Sequence, residues 1–190
     1  EWKFRGFREI SGSKWLIIGF GHIGQSIAQR AKAFGVEITA VRRSNKTEGL
    51  ADNVVQLDAL PEVLPQADVV VMACTSTDAT RNLVDAGFLA AMKTGSVLVN
   101  IARGDLVDEN ALHSALDAGT PAFAILDVFR QEPLPSASWI WEHSRIAMTP
   151  HSSNAGSGMR ARSEEIFLEN LQRIQSGAAL LNRVSTSDIN

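Results

Sequence analysis

The sequence predicts a doubly wound α/β fold of the Rossmann type: a parallel sheet with helices on both faces. Three observations carry this reading. Short apolar runs alternate with longer segments of helical periodicity from residue 14 onward. The runs are apolar at successive positions, as in strands covered on both sides. The first of them leads into Gly19-Phe20-Gly21-His22-Ile23-Gly24, a G-x-G-x-x-G set between a strand and a helix. Repeated β-α-β order of this kind gives a parallel sheet.

The elements follow in order. Trp15-Leu16-Ile17-Ile18 is a strand ending in glycines, and Ile23, Ile27, Ala28, Ala31 and Phe34 recur at helical spacing until Gly35 stops them. Val36 to Val41 is the second strand, which completes a unit of the length a strand–helix–strand requires. Asn53 to Gln56 is a short strand, followed by a short helix ending near Pro65. Val69 to Ala73 is rich in β-branched residues and apolar throughout, Asp85 to Met92 is helical, and Ser96 to Ile101 is a strand. Asp108 is an N-cap for a helix over Glu109 to Ala118 that Gly119 ends. Phe123 to Val128 and Arg145 to Met148 are the last strands, and Ser157 to Gln175 is a long amphipathic helix. Weak patterning at both ends marks connections to something beyond this core.

Composition narrows the function. The chain has 190 residues, 45% hydrophobic and 21% charged, with a net charge of −3. That balance belongs to a globular domain, and a mildly acidic chain without a basic block is a poor nucleic-acid binder. No apolar run reaches the ~18 residues of a membrane span, and the N-terminal stretch has no signal-like apolar region. A single cysteine makes no internal disulfide, so a cytoplasmic location is expected. No His, Cys or carboxylate set shows metal-ligand spacing, and no metal is expected.

The glycine motif points to a dinucleotide. Gly19 permits the tight turn, Gly21 lets a pyrophosphate approach the backbone, and Gly24 lets the helix pack on the strand. The N–H groups of His22 and Ile23 then face the phosphates at the positive end of the helix. The alternatives are a plain tight turn or a nucleoside site of the methyltransferase kind. A cofactor with a free ribose 2′-hydroxyl wants an acid about 20 residues further on. This chain has Arg42, Arg43 and Ser44 there, and two guanidiniums and a hydroxyl suit a 2′-phosphate, so NADP is favoured over NAD. The bland reading is a solvated turn in which one arginine alone touches the cofactor.

Arg103, Glu132 and His151 each fall just after a predicted strand. Ligands of open parallel sheets bind beyond the carboxyl ends of the strands. An arginine can clamp a carboxylate, a histidine can exchange a proton near neutral pH, and an acid behind it fixes the tautomer. Each has a bland alternative. Arg103 can pair with Asp105 or Asp108, Glu132 can be a loop charge, and His151 can be structural. Cys74 is read as core, and His113 and His143 as surface residues.

From Trp15 to His151 the chain resembles the D-isomer-specific 2-hydroxyacid dehydrogenases. The resemblance rests on Gly19 to Gly24, on Met92-Lys93-Thr94-Gly95 with Val99-Asn100-Ile101-Ala102-Arg103-Gly104, and on Leu106 to Leu112. It continues through Leu126-Asp127-Val128-Phe129 with Glu132-Pro133-Leu134-Pro135, and ends on Thr149-Pro150-His151. It implies that Arg103 binds the substrate carboxylate and polarises its carbonyl, that His151 is the general acid/base, and that Glu132 is its partner. It also implies that Asp127 holds the nicotinamide carboxamide, and that Ala102, Thr75 and Ser76 are further cofactor contacts. The implied reaction is hydride transfer between NADP(H) and a small 2-keto or 2-hydroxy acid, with a cofactor signature similar to the glyoxylate/hydroxypyruvate reductase branch. A regulatory, corepressor-like module of the same fold is the alternative.

The chain departs from the family pattern at His22, at Thr75 and at Arg130, where a glutamate is common. The resemblance further implies a division of the chain. Residues 1–13 link from a missing substrate lobe, residues 14–154 form the dinucleotide-binding domain, and residues 155–190 form a C-terminal helix and return segment. The family often has a tryptophan near Trp141 that packs at a lobe or subunit contact, with an ordinary packing role as the alternative here, and the implied full-length assembly is a homodimer.

Overall fold

The computed structural model describes residues 8–43 and 49–184. Ser44, expected beside the two arginines, lies outside the described residues. Seven parallel strands form one sheet: β1 (Lys14–Ile18), β2 (Glu37–Val41), β3 (Asn53–Val55), β4 (Val69–Met72), β5 (Val97–Asn100), β6 (Phe123–Leu126) and β7 (Ile146–Met148). Their order across the sheet is β3-β2-β1-β4-β5-β6-β7. The chain winds outward from β1 in one direction, returns to β4 on its other side and winds away the opposite way. The crevice between β1 and β4 is therefore the topological switch point, where ligands of such sheets bind. The register sets Ile18 beside Val41 on one flank and beside Met72 on the other, so the three strands end level.

The apolar residues of each strand divide between the two faces. Leu16, Ile18, Val70, Met72 and Leu98 join one core with Leu60, Phe88, Leu112, Leu116 and Ile140. Ile17, Ile38, Ala40 and Val71 pack on the opposite face against Ala28 and Ala31. The helices that cover these faces are α1 (His22–Lys32), α2 (Leu60–Val63), α3 (Ala86–Ala91) and α4 (Glu109–Ala118). Asp108 caps α4 through bonds of 3.0 and 3.1 Å from the N–H groups of Asn110 and Ala111. Gly119 ends it in the left-handed conformation, as the sequence predicts.

Two expectations are adjusted. The apolar stripe of α1 is shorter than its periodicity suggests: Ala28 and Ala31 are buried, but Ile23 is 58% exposed and Phe34 is 61% exposed. The helix stops at Lys32, before Phe34, and Ile23 stands in its first turn, where it faces the cleft and not the sheet. The long C-terminal helix α5 (Met159–Ser176) has no buried residue, and Phe167, Leu168 and Ile174 all stand in solvent. Its amphipathic pattern is real, but within the described residues no core covers it. No helix is long and apolar enough to cross a membrane among the described residues.

Candidate active site

Two adjoining clefts open at the carboxyl ends of the strands, and Ala73, Cys74 and Thr75, just past β4, line both. The first is bounded by Gly19, Gly21, Arg42 and Arg43. Gly19 has φ +96°, and a Cβ there would stand 2.4 Å from the backbone N of Cys74. The turn after β1 thus crosses the end of β4 at a separation only glycine allows. A Cβ on Gly24 would meet the carbonyl oxygen of Gly19 at 2.2 Å, the close packing of helix on strand expected from the motif. At Gly21 nothing lies within 4 Å of that position, so the backbone is open toward the cleft. The helical ladder begins with Gln25 N–H donating to Gly21 O at 2.9 Å, which leaves the amides of His22 and Ile23 ahead of it. No acid occupies the first turn of α1. An open glycine at a helix N-terminus, with no carboxylate to repel an anion, fits a pyrophosphate.

Arg42 and Arg43 follow β2 on the same wall. Arg42 N–H donates to Val55 O at 3.1 Å and Arg43 O accepts from Gln56 Nε2 at 3.3 Å, which ties this turn to β3. Both arginines therefore stand on an anchored backbone and line the glycine cleft.

The second cleft gathers Ile23, Ser76, Ala102, Arg103, Glu132 and His151. Three residues far apart in the chain thus meet at one mouth. His151 Nδ1 and Glu132 Oε2 are 2.7 Å apart. The other Glu132 oxygen, Oε1, accepts from Phe129 N–H at 2.9 Å. Burial alone would raise the Glu132 carboxyl. The His151 hydrogen bond, the Phe129 amide and the charges of His151 and Arg103 outweigh it and hold the group below the ordinary glutamate value. Glu132 is therefore an ionised acceptor at Nδ1, and Nε2 of His151 is left for chemistry in the cleft.

His151 adopts φ +49°, a left-handed conformation that a non-glycine residue rarely takes. Its surroundings impose it. His151 N–H donates to Asp127 O at 2.8 Å, and Ser152 and Ser153 N–H donate to the Asp127 carboxylate at 2.9 and 3.1 Å. The Thr149 hydroxyl donates to the same carboxylate. Asp127 is 2% exposed. Burial would raise its carboxyl, but hydrogen bonds from Ser153, Thr149 and Ser152 hold it at about 2. It lines neither cleft, so what the structure gives it to hold is the His151 loop, a role the sequence offered no means of seeing.

Arg103 sits on a comparable brace. Asn100, 1% exposed, accepts from Ala102 N–H at 3.1 Å and donates to Arg103 O at 2.9 Å. A Cβ on Gly104 would fall 1.9 Å from the carbonyl carbon of Phe129, so the Arg103 turn lies directly against the Glu132 loop. The bland pairing of Arg103 does not occur. Asp105 accepts from Arg81 at 2.9 Å and from Ser76 Oγ at 2.8 Å, and Asp108 is the cap of α4.

Thr75 lines both clefts and Ser76 the second. Cys74 is not simply core, because it borders both clefts, although burial pushes its thiol up to about 11. His143 is more covered than a surface residue, with 11% of its side chain exposed.

Residues 1–153 match the family model described as "D-isomer specific 2-hydroxyacid dehydrogenase, NAD binding domain". A glyoxylate reductase of Thermococcus gammatolerans is 36% identical over 186 residues, covering 93% of this chain and 55% of that protein. Among solved structures, a D-isomer specific 2-hydroxyacid dehydrogenase from Xanthobacter autotrophicus, in complex with NADPH, is 32% identical. It superposes with a TM-score of 0.88 over 97% of this chain and 75% of that one. An NADPH-dependent glyoxylate/hydroxypyruvate reductase from Sinorhizobium meliloti, solved with NADP and sulfate, is 26% identical. Its TM-score is 0.90 over 99% of this chain and 60% of that one. The chain spans about half the length of the curated relatives it matches, 55% in the first two.

Proposed function

From the premise that this chain belongs to the D-isomer-specific 2-hydroxyacid dehydrogenase family, as its NAD-binding domain, we propose that it serves an NADP(H)-preferring reductase of small 2-keto acids such as glyoxylate or hydroxypyruvate. The observation that carries the reading is the 2.7 Å contact of His151 Nδ1 with Glu132, in a cleft shared with Arg103 and continuous with the open glycine turn. A nicotinamide dinucleotide, when bound, supplies the hydride donor or acceptor. Gly19, Gly21, His22, Ile23 and Gly24 hold its pyrophosphate, Arg42 and Arg43 its 2′-phosphate, and Thr75, Ser76 and Ala102 line its path toward Arg103.

In this reading Arg103 takes the substrate carboxylate through two parallel hydrogen bonds and draws charge onto the carbonyl oxygen. His151 donates its Nε2 proton to that oxygen as negative charge develops, and Glu132 stabilises the imidazolium beforehand. In the reverse direction His151 Nε2 takes the hydroxyl proton. Asp127 acts through the loop that aims the imidazole. The similarity of the chain to structures solved with NADPH and NADP supports the cofactor preference, and the uncovered apolar residues of α5 support a homodimer of the longer protein.

Calorimetric titration of the chain with NADPH and NADH, repeated for Arg42→Asp, tests the cofactor assignment. The charge reversal is expected to weaken NADPH by ten-fold or more, about 1.4 kcal/mol or more, and to spare NADH. Equal loss for both cofactors, or no change, removes the preference. In the full-length protein, His151→Gln is expected to abolish NADPH oxidation by glyoxylate with cofactor affinity intact. Retained turnover would remove the assignment of the acid.

A further inference from the structure

Away from the cleft, α4 and the segment that enters β7 bring together three side chains that the proposed reaction does not use. His113 and Asp117 are one turn apart on α4, and His143 follows the short helical turn Trp139–Trp141. The Nε2 of His143 lies 3.4 Å from Asp117 Oδ1, and the Nε2 of His113 lies 3.7 Å from Asp117 Oδ2. The three ligand atoms all fall within 4.8 Å of one another. Donors about 2.0–2.1 Å from a tetrahedral ion stand roughly 3.3 Å apart, so these separations need only small side-chain adjustment to take one.

We propose that His113, Asp117 and His143 form a binding site for a divalent transition-metal ion of the Zn2+ class, which clips α4 to the segment entering β7. The donor chemistry selects the ion. Two imidazoles and a carboxylate suit Zn2+ and its neighbours, whereas Mg2+ and Ca2+ prefer an all-oxygen shell.

The rings are held in place before any ion arrives. His113 stacks on Trp139 with centroids 4.1 Å apart and planes at 13°. His143 meets the edges of both rings, at 5.8 Å from His113 and 5.5 Å from Trp139. Stacking on an indole also favours an imidazole that carries positive charge from a bound ion. The adjacent cation, Arg145, is turned aside, since its Nη1 donates to Leu116 O at 2.6 Å. One bond must be exchanged. His143 Nδ1 accepts from Arg145 N–H at 3.3 Å, and coordination through Nε2 moves the ring proton to Nδ1. That contact is at the long end of the hydrogen-bond range, so its loss is small beside a metal–nitrogen bond.

The test is calorimetric titration of Zn2+ into the chelator-treated chain, with Co2+ absorption as the spectroscopic readout. The expected result is saturation at one ion per chain, visible Co2+ bands of a four-coordinate site, and no binding of Mg2+. His113→Gln and His143→Gln should each weaken Zn2+ by at least ~10-fold. Asp117→Asn should do the same, and with that side chain 68% exposed its loss cannot be ascribed to unfolding. His151→Gln should leave the affinity unchanged. Absence of saturable binding, binding that survives His113→Gln and His143→Gln, or loss confined to His151→Gln would each overturn the site.

Discussion

At the scale of single residues, the site rests on carboxylates whose charge the fold secures. Glu132 is kept ionised by His151, by the Phe129 amide and by the nearby Arg103, against the opposing effect of burial. Removing His151 takes away the first of these, so His151→Gln is expected to raise the Glu132 carboxyl back toward 4.5. Carboxyl carbon NMR across an acid titration checks this, and an unmoved Glu132 would mean that the pair is not formed in solution. Asp127 makes a stability prediction. Its carboxyl is lowered from 3.8 to about 2 in the folded chain. A depressed folded value adds stability that is complete above the unfolded value and lost as pH falls through the folded one. The contribution is about 2 kcal/mol, lost between about pH 4 and pH 2. Urea unfolding at several pH values should show that slope in the parent chain and lack it in Asp127→Asn. The meeting of Arg103, Glu132 and His151 at one mouth was legible in the sequence because each follows the end of a strand. The clamp of Asp127 and the left-handed His151 were not, because both depend on how the 149–153 loop folds back over β6. The pairing of His113 with His143 was equally hidden, since nothing local relates a helix residue to one beyond the next strand.

At the scale of elements, the periodic signals identified the strands and helices to within a residue or two, and the misreadings concern what covers them. Two helices show the contrast. In α4 the apolar residues Leu112 and Leu116 are fully buried against the sheet, between a carboxylate cap and a left-handed glycine. In α5 the same kind of periodicity faces solvent, with Phe167 63% exposed. Periodicity reports that a helix has an apolar side, but not whether the chain itself supplies the surface that side meets. The stability effects should therefore diverge. Leu116→Ala leaves a cavity under α4 and is expected to cost about 2–5 kcal/mol. Phe167→Ala is expected to stay within about 0.5 kcal/mol when measured at low-micromolar protein. Equilibrium urea unfolding of the two variants separates the cases, and a large loss for Phe167→Ala would show that α5 is covered in solution. The α1 turn reads the other way. Its three glycines were legible as a tight turn from strand into helix, and the 2.4 Å approach of a Gly19 Cβ to the end of β4 supplies the steric reason for the first of them.

At the scale of the whole molecule, the switch point between β1 and β4 joins the cleft of the glycine turn and the cleft of the His151–Glu132 pair into one trough. Their shared floor is Ala73, Cys74 and Thr75, so a dinucleotide that reaches from Arg42 to Arg103 must pass over Cys74. This is the sole cysteine of the chain, which makes its labelling unambiguous. Burial pushes its thiol from 9.0 up to about 11, which cuts the thiolate present at neutral pH roughly 100-fold, and the thiolate is the species that reacts. Alkylation by N-ethylmaleimide at pH 7 should accordingly be roughly 100-fold slower than for an unstructured cysteine peptide, and should quicken with pH well past 9. Saturating NADPH should slow it further, because the cofactor covers the floor. His151→Gln should leave that protection in place, since the imidazole lies beyond the cysteine. Arg42→Asp should shift that protection to at least about ten-fold higher NADPH concentration, in line with the weaker binding expected of it. Unchanged alkylation with bound NADPH would mean that the cofactor does not span the two halves. The link between the glycine turn and the His151–Glu132 pair would then fail, even with both halves intact.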